Sequence, residues 1–420
     1  MVALIDCNNF YVSCERLFDP KLEKKPVIVL SNNDGCAISR SEEAKALGIQ
    51  MAQPAFMIPE AIAGDVRMFS SNYTLYGDIS ARVMQVIREL VPVTEIYSID
   101  EIFADLSSMK WTNLNKLALE IREKVKRCTG IPVSVGIGAT KTLAKMANRY
   151  AKKKFPCIGV YSADAEDKTV EMLRETSVGS IWGIGKQYTA LLEQNGFSSA
   201  YDLSRAPEEW VRKNLSVVGQ RMLHELKGIA CLEWDVEPPA RKNITTSRSF
   251  GELITDKNEI RQALTKFTSN CAEKLRREKS CARKMNVFIQ TNPHRPTDEQ
   301  YFQSVTLQLT VATNLTTELI RYAMQGLDHI YRPGYLYQKC GVVMMDLVKQ
   351  DAIQGSLFDS EQRKKTRGLM NSIDEVNRQF ERDMVRFATQ SYETRWKLKQ
   401  DYLSCHFTTR FDQLPKARAT

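Results

Sequence analysis

Three carboxylates stand where a charge needs a reason. Asp6 closes the apolar run Val2–Ile5, and Asp100 and Glu101 sit side by side within the apolar stretch Ile99–Phe103. Carboxylates that converge on one point repel one another unless a cation neutralises them. Hard oxygen ligands select Mg²⁺ or Mn²⁺, and two such ions side by side suit in-line phosphoryl transfer. The adjacent pair poses a geometric problem. Neighbouring residues of a strand point to opposite faces, so Asp100 and Glu101 reach one ion only if a turn falls at Ile99-Asp100. The plainer alternative is two turn carboxylates and one strand-end cap. Pattern alone leaves both readings open.

The elements that must hold these residues are mixed. Val2–Ile5, Val27–Leu30 and Val133–Ile137 read as short buried strands, and Thr94–Leu106 as two strands meeting at a tight turn. Apolar residues recur at helical spacing in Ser41–Leu47, Ile79–Leu90, Leu114–Lys126 and Thr140–Lys154. The alternation lacks the regular period of a parallel βαβ array, so the expectation is an α+β sheet with helices on one side. Residues 166–236 read as short-looped helices, and Pro238-Pro239 as a linker. Beyond the linker, strands are expected at Thr245–Leu253, Met285–Gln290, Ser304–Thr310 and Cys340–Leu347, with helices at Glu259–Glu278 and Leu315–Tyr331. That order, strand–helix–strand–strand–helix–strand, is the split βαβ pattern of a small ferredoxin-like sheet. The last stretch, 351–420, is polar with a mostly helical core.

Composition narrows the function classes. A chain of 420 residues is too long for one ordinary core, which implies two to four domains. No apolar run reaches the roughly 20 residues of a spanning helix, and the amino terminus turns polar too early for a signal peptide. A cytoplasmic, non-membrane protein is expected. Ten cysteines without a C-x-x-C pair, beside only four histidines, point to free thiols rather than zinc or disulfides. The net charge of +9 is unevenly spread: +1 over residues 1–150 and −2 over 151–238, but +7 over 239–350 and +3 over 351–420. A neutral body with a basic appendage suits a polyanion gripped by one part while chemistry proceeds in another.

Specific motifs sharpen this. Asp6 followed by Asn8-Asn9-Phe10-Tyr11-Val12-Ser13-Cys14-Glu15, then Tyr97-Ser98-Ile99-Asp100-Glu101, is similar to the two catalytic motifs of Y-family, translesion DNA polymerases. The runs Ser31-Asn32-Asn33-Asp34-Gly35-Cys36 and Phe69-Ser70-Ser71-Asn72-Tyr73-Thr74-Leu75-Tyr76 resemble the bacterial UmuC branch in particular. The resemblance covers essentially the whole chain. It implies a multi-domain right hand: palm and fingers in 1–165, a thumb in 166–238, a little finger in 239–350 and a partner-binding region in 351–420. It implies an error-prone polymerase that extends primers across damaged bases, the catalytic subunit of a polymerase V-like SOS mutagenesis complex. Asp6, Asp100, Glu101 and the backbone carbonyl of Cys7 match the family's ligands for two Mg²⁺ ions. Tyr11 aligns with the steric gate beneath the incoming sugar; its plainer reading is an ordinary helical aromatic.

For the triphosphate, the family uses a Ser/Thr, a Tyr and an Arg on the helix after the second strand. Those positions hold Ser39, Glu42 and Lys45 here. Lys45 lacks the arginine fork and Glu42 lacks a hydroxyl donor, so Arg40 is the candidate replacement. Lys152 matches the second phosphate lysine. The preceding Thr140-Lys141-Thr142 is not a P-loop, because the glycine-rich loop is missing. Trp182-Gly183-Ile184-Gly185-Lys186 resembles a helix-hairpin-helix that meets DNA phosphates through Gly183, Gly185 and Lys186. Arg248 is a further DNA-contact candidate on the basic module. Gln354, Leu357 and Phe358 resemble a sliding-clamp peptide. The implied partners are primer-template DNA, a dNTP, a processed UmuD-like dimer, a RecA filament and the clamp. Two rival readings are a non-catalytic DNA-binding assembly subunit and a nucleotidyl cyclase. Neither uses all of these parts: the first leaves intact carboxylates idle, the second has no place for the hairpin or the basic module.

Overall fold

The first strand, β1 (Val2–Cys7), organises the N-terminal part of the chain. Its alternate residues face two different layers, and both layers are apolar. A computed structural model describes residues 1–109, 113–235, 240–353, 362–380, 384–390 and 396–414. Within it the chain forms two compact units, 1–238 with 401–420, and 239–400. The segment 351–420, expected as one region, is therefore divided between them.

In the first unit, helix α1 (Phe10–Phe18) follows β1, and β2 (Val27–Leu30), β3 (Ala37–Arg40) and β4 (Arg67–Ser70) form a small sheet in the order β3-β2-β4. Short helices α2 (Glu42–Ala46) and α3 (Glu60–Ala63) lie between β3 and β4 in sequence. Next come α4 (Tyr73–Arg88), β5 (Thr94–Ile96), β6 (Glu101–Asp105), α5 (Leu114–Thr129), β7 (Val133–Gly138), α6 (Lys141–Lys154) and β8 (Val160–Ser162). The main sheet runs β5-β6-β1-β7-β8. Strands β3, β4 and β8, three or four residues each, have no counterpart in the sequence reading because so short a run shows no period. Helix α4 starts a turn and a half before its apolar pattern does, where the Asn72 side chain accepts the Leu75 amide as an N-cap.

The expectation of helices on one side of this sheet fails. Ala3, Ile5 and Cys7 pack with α1, α4 and α5 through Val12, Val83, Ile87 and Ile121. Val2, Leu4 and Phe103 face the other way, against Ala144 of α6. Glycine explains the second layer. A Cβ on Gly136 of β7 would stand 1.9 Å from the Asn148 amide nitrogen, so only glycine lets α6 lie this close. Asn148 then donates to the carbonyls of Leu4 and Ser134, at 3.2 and 2.8 Å, tying α6 across β1 and β7.

Residues 166–226 are helical as expected: α7 (Glu166–Glu175), α8 (Lys186–Gln194), α9 (Ala200–Ser204) and α10 (Glu208–Leu226). The second unit follows the split βαβ order, with β9 (Ile244–Ile254), α11 (Lys257–Arg277), β10 (Ser280–Thr291), β11 (Phe302–Thr313), α12 (Thr316–Ile330) and β12 (Tyr337–Lys349). Its sheet order is β11-β10-β12-β9, every neighbour antiparallel, so each helix joins two parallel strands with one strand between them. Helix α13 (Gln362–Gln379) packs on α11 through a two-pronged Arg276–Asp374 pair, Nε–Oδ2 2.6 Å and Nη2–Oδ1 2.7 Å.

Candidate active site

The antiparallel register of β1 and β6 places Asp6 directly opposite Glu101, on the face covered by α6. Asp100 precedes β6, in the hairpin turn from β5, and its carbonyl accepts the Cys7 amide at 2.9 Å. The turn thus falls where the adjacent pair requires it. Ser98 shapes that turn: its Oγ accepts the amides of Asp100 and Glu101 and donates to Asp100 Oδ1 at 2.6 Å. Backbone pairing, rather than side-chain chance, brings the three acids to one end of the sheet.

Cations from α6 meet them. Lys152 Nζ lies 2.5 Å from Asp6 Oδ1, and Lys145 Nζ lies 3.1 Å from Glu101 Oε2. Lys145 also stands over the rings of Tyr97 and Trp182, at 4.2 and 4.9 Å. Burial pushes the Asp6 carboxyl up to about 6; Lys152 opposes this, while Glu101 and Asp100 add to it. A pocket of about 340 Å³ opens here, lined by Asp6, Glu101, Lys145, Asn148, Arg149 and Lys152 among others.

Among the described residues no three His, Cys, Asp or Glu side chains form a ready metal cage. The acids turn towards lysines and Ser98 instead. Their chemistry nevertheless fits a divalent cation: three hard oxygen donors share one end of the sheet, and the neighbouring carboxylates Glu101 and Asp100 raise the proton affinity of Asp6. An ion at that point does what Lys152 and Lys145 do here, neutralising the pair.

Tyr11 lies in the first turn of α1, half-buried. Its ring stacks on Tyr76 at 4.6 Å and 15° and meets the edge of Tyr73 at 6.0 Å. Burial first, then Tyr73 and Asp100, push its phenol up to about 12. The triphosphate candidates differ from expectation. Ser39 and Arg40 belong to strand β3, not to the helix that follows it. Ser39 Oγ accepts the Val12 amide of α1 at 3.4 Å, and Arg40 Nη1 donates to the Ile49 carbonyl at 2.6 Å, which spends part of its fork on the backbone. Lys45 Nζ is shared between Glu42 Oε1 (2.6 Å) and Asn9 Oδ1 (2.8 Å).

The remaining candidates stand on other elements. Gly183 has φ +92, Gly185 is the N-cap of α8 without a side-chain cap, and Lys186 is exposed. Arg248 is exposed on β9 of the second unit. Gln354, Leu357 and Phe358 lie outside the described residues. Sequence reasoning left Lys145, Asn148 and Arg149 without roles. Their spacing with Lys152 on one helix face was the available signal.

Comparison with known proteins places the chain in a family. Residues 5–149 match the impB/mucB/samB family, 241–357 match that family's C-terminal domain, and 367–417 match a domain of unknown function. Protein ImpB of Salmonella typhimurium is 41% identical over 424 residues, covering 100% of both chains. The chain belongs to the impB/mucB/samB family. Within the same Y-family of polymerases, protein UmuC of Salmonella typhimurium is 40% identical with full coverage of both chains, and a DNA polymerase IV of Pelotomaculum thermopropionicum is 26% identical, covering 90% of this chain and 92% of its own. Among solved structures, a Y-family DNA polymerase chimera of Dbh and Dpo4 matches with TM-score 0.66 at 19% identity, over 83% of this chain and 99% of its own. That likeness is one of fold.

Proposed function

We propose that this family member is a DNA-directed DNA polymerase that extends primers across damaged template bases with low fidelity. The observation that carries the reading is Asp6 set opposite Glu101, with Asp100 in the adjoining turn, above a cation-lined pocket. Asp6, Asp100, Glu101 and the Cys7 carbonyl would hold two Mg²⁺ ions in this reading, with Mn²⁺ as substitute. When bound, such ions acidify the primer 3′-hydroxyl and neutralise the triphosphate and departing pyrophosphate.

The protein's own residues do the rest. Lys152, released from Asp6, and Lys45, released from Glu42, meet triphosphate oxygens together with Ser39 and Arg40. Tyr11 floors the sugar, where a ribose 2′-hydroxyl would strike the ring. Residues 1–165 serve as palm and fingers, 166–238 as thumb and 239–350 as little finger. Gly183, Gly185, Lys186 and Arg248 contact DNA phosphates without reading sequence, a mode that salt weakens. Gln354, Leu357 and Phe358 dock the sliding clamp. By likeness to relatives named UmuC and MucB, the chain works in an SOS mutagenesis complex with a processed UmuD-like dimer, docked in 359–420, and a RecA filament.

The test is primer extension on an abasic-site template with Mg²⁺ and these accessory proteins, beside the double variant Asp100→Ala/Glu101→Ala. Extension by the intact protein alone is expected. Equal extension by both removes the site assignment; extension by neither returns the non-catalytic reading.

A further inference from the structure

The chain returns from its second unit to the first, and its last described segment runs beside α1 and α4. Asp401 N donates to Asp34 Oδ2 at 2.8 Å. Tyr402 exchanges two bonds with Ser70, its amide to Ser70 Oγ and its carbonyl from the Ser70 amide, both 3.0 Å. Asn72 Nδ2 reaches the Ser404 carbonyl (3.2 Å), Ser404 Oγ (3.0 Å) and the Cys405 carbonyl (3.2 Å). The same Asn72 side chain caps α4 through its Oδ1. Phe407 stacks on Phe18, at the far end of α1, with centroids 4.5 Å apart.

One contact leads inward. Ser404 Oγ donates to Glu15 Oε1 at 3.0 Å, and the Tyr76 hydroxyl donates to the same oxygen at 2.6 Å. Glu15 is 2% exposed and Tyr76 fully buried. A carboxylate so enclosed needs its donors, and loss of one leaves an acceptor without water to replace it. Tyr76 is the ring on which Tyr11 stacks, and Glu15 lies one helical turn beyond Tyr11 on α1. The tail is therefore bonded to the support of Tyr11, not merely to the outside of the fold. Of the residues that meet the tail, Asp34, Ser70 and Asn72 come from the two sequence runs, 31–36 and 69–76, to which no catalytic step assigns a role.

We propose that Asp401–Leu414 is a strap that positions the sugar-sensing face of the active site, holding Tyr76 beneath Tyr11 through Ser404 and Glu15. The inference rests on the reading of Tyr11 as the gate. Ser404 and Glu15 are positioning residues: neither needs to touch the nucleotide. The receptor for the strap is built from α1, α4 and the ends of β4 and the 31–36 loop, so tail and gate share one set of hydrogen bonds.

The experiment uses the full-length chain and compares insertion of a deoxynucleotide with that of its ribonucleotide. Tyr11→Ala, Tyr76→Phe, Ser404→Ala and Ser404→Thr are tested side by side. Loss of a hydrogen bond to a buried carboxylate should lower sugar discrimination roughly three- to tenfold in Tyr76→Phe and Ser404→Ala. In Ser404→Ala the deoxynucleotide kcat should stay within about twofold, since no group near the acids changes. Ser404→Thr, which keeps the hydroxyl, should restore discrimination. A merely structural role would instead lower both nucleotides together and leave the ratio alone. Relaxed discrimination in Tyr11→Ala, with none in Tyr76→Phe or Ser404→Ala, overturns the strap. Unchanged discrimination in Tyr11→Ala overturns the gate reading, and the strap's role falls with it. Hydrogen exchange supplies a check that needs no activity: amides of 401–405 should be protected in the intact chain and exchange faster in Asn72→Ala. Exchange at the rate of free peptide in the intact chain also overturns the proposal.

Discussion

Two parts of the first unit are built in opposite ways. The acid corner at Asp6, Asp100 and Glu101 is placed by the backbone: a strand register, a hairpin turn and one serine. The Asn9–Glu42–Lys45 cluster is placed by side chains alone, with Glu42 and Lys45 largely exposed. A register cannot drift by one residue without moving every buried neighbour to the other face. An exposed ion pair contributes little and can be re-formed with other partners. In the proposed reading, chemistry that must stay fixed sits in the first part and affinity that can be tuned sits in the second.

The largest effect that would break this contrast is expected at Asp6. Asp6→Asn keeps the shape and removes the charge, and single-nucleotide insertion should fall by about 10³-fold or more, as for loss of a transition-state charge partner. Activity within tenfold of the intact protein would mean the corner is not where the reaction occurs. Next is the support behind it. Gly136→Ala drives a methyl into the α6 backbone, and calorimetry should show destabilisation of about 2–4 kcal/mol. An unchanged Tm would show that α6 is not tightly seated.

Lys152→Ala should raise the KM for the nucleotide roughly tenfold while kcat falls less, the pattern of lost phosphate binding. A fall in kcat at unchanged KM would make Lys152 a partner of Asp6 only.

Glu15 gives a pH test away from the acids. Burial raises its carboxyl from 4.5 to about 7, partly offset by the hydrogen bonds from Tyr76 and Ser404. The folded state thus binds a proton more tightly than the unfolded chain. Its contribution to stability is complete below pH 4.5 and is lost as pH rises through 7, at up to about 1.4 kcal/mol per pH unit between them. Glu15→Gln should flatten that part of the stability–pH curve; an identical slope would contradict the burial argument. The smallest effect is expected at Glu42. Glu42→Gln loosens the hold on Lys45 and should lower the nucleotide KM about two- to fivefold at low salt, with the gain shrinking as salt is added.

Much of this was legible from residues. The apolar run ending in Asp6 and the split βαβ order of the second unit are local patterns, and both survive intact in the fold. The four-residue strands β3 and β4 were invisible, because neighbours in the sheet, not their own period, make them strands. Ser39 and Arg40 were misplaced onto a helix for that reason. The second helical layer was missed because the small residues of β7 carry no apolar signal, although Gly136 and Gly138 are what admit α6.

The residue types and their order along the chain determined which groups could bind metal, phosphate or sugar, because acidity, charge and ring shape belong to the side chain itself. Only the tertiary structure decided which of them meet. Asp6 finds Glu101 across 95 positions of chain through strand register, and Lys152 through the seating of α6. Ser404 finds Glu15 across 389, bridging the carboxylate that also holds Tyr76. No local preference encodes such a meeting; it exists because packing the sheets, helices and tail together sets those polar groups within bonding distance.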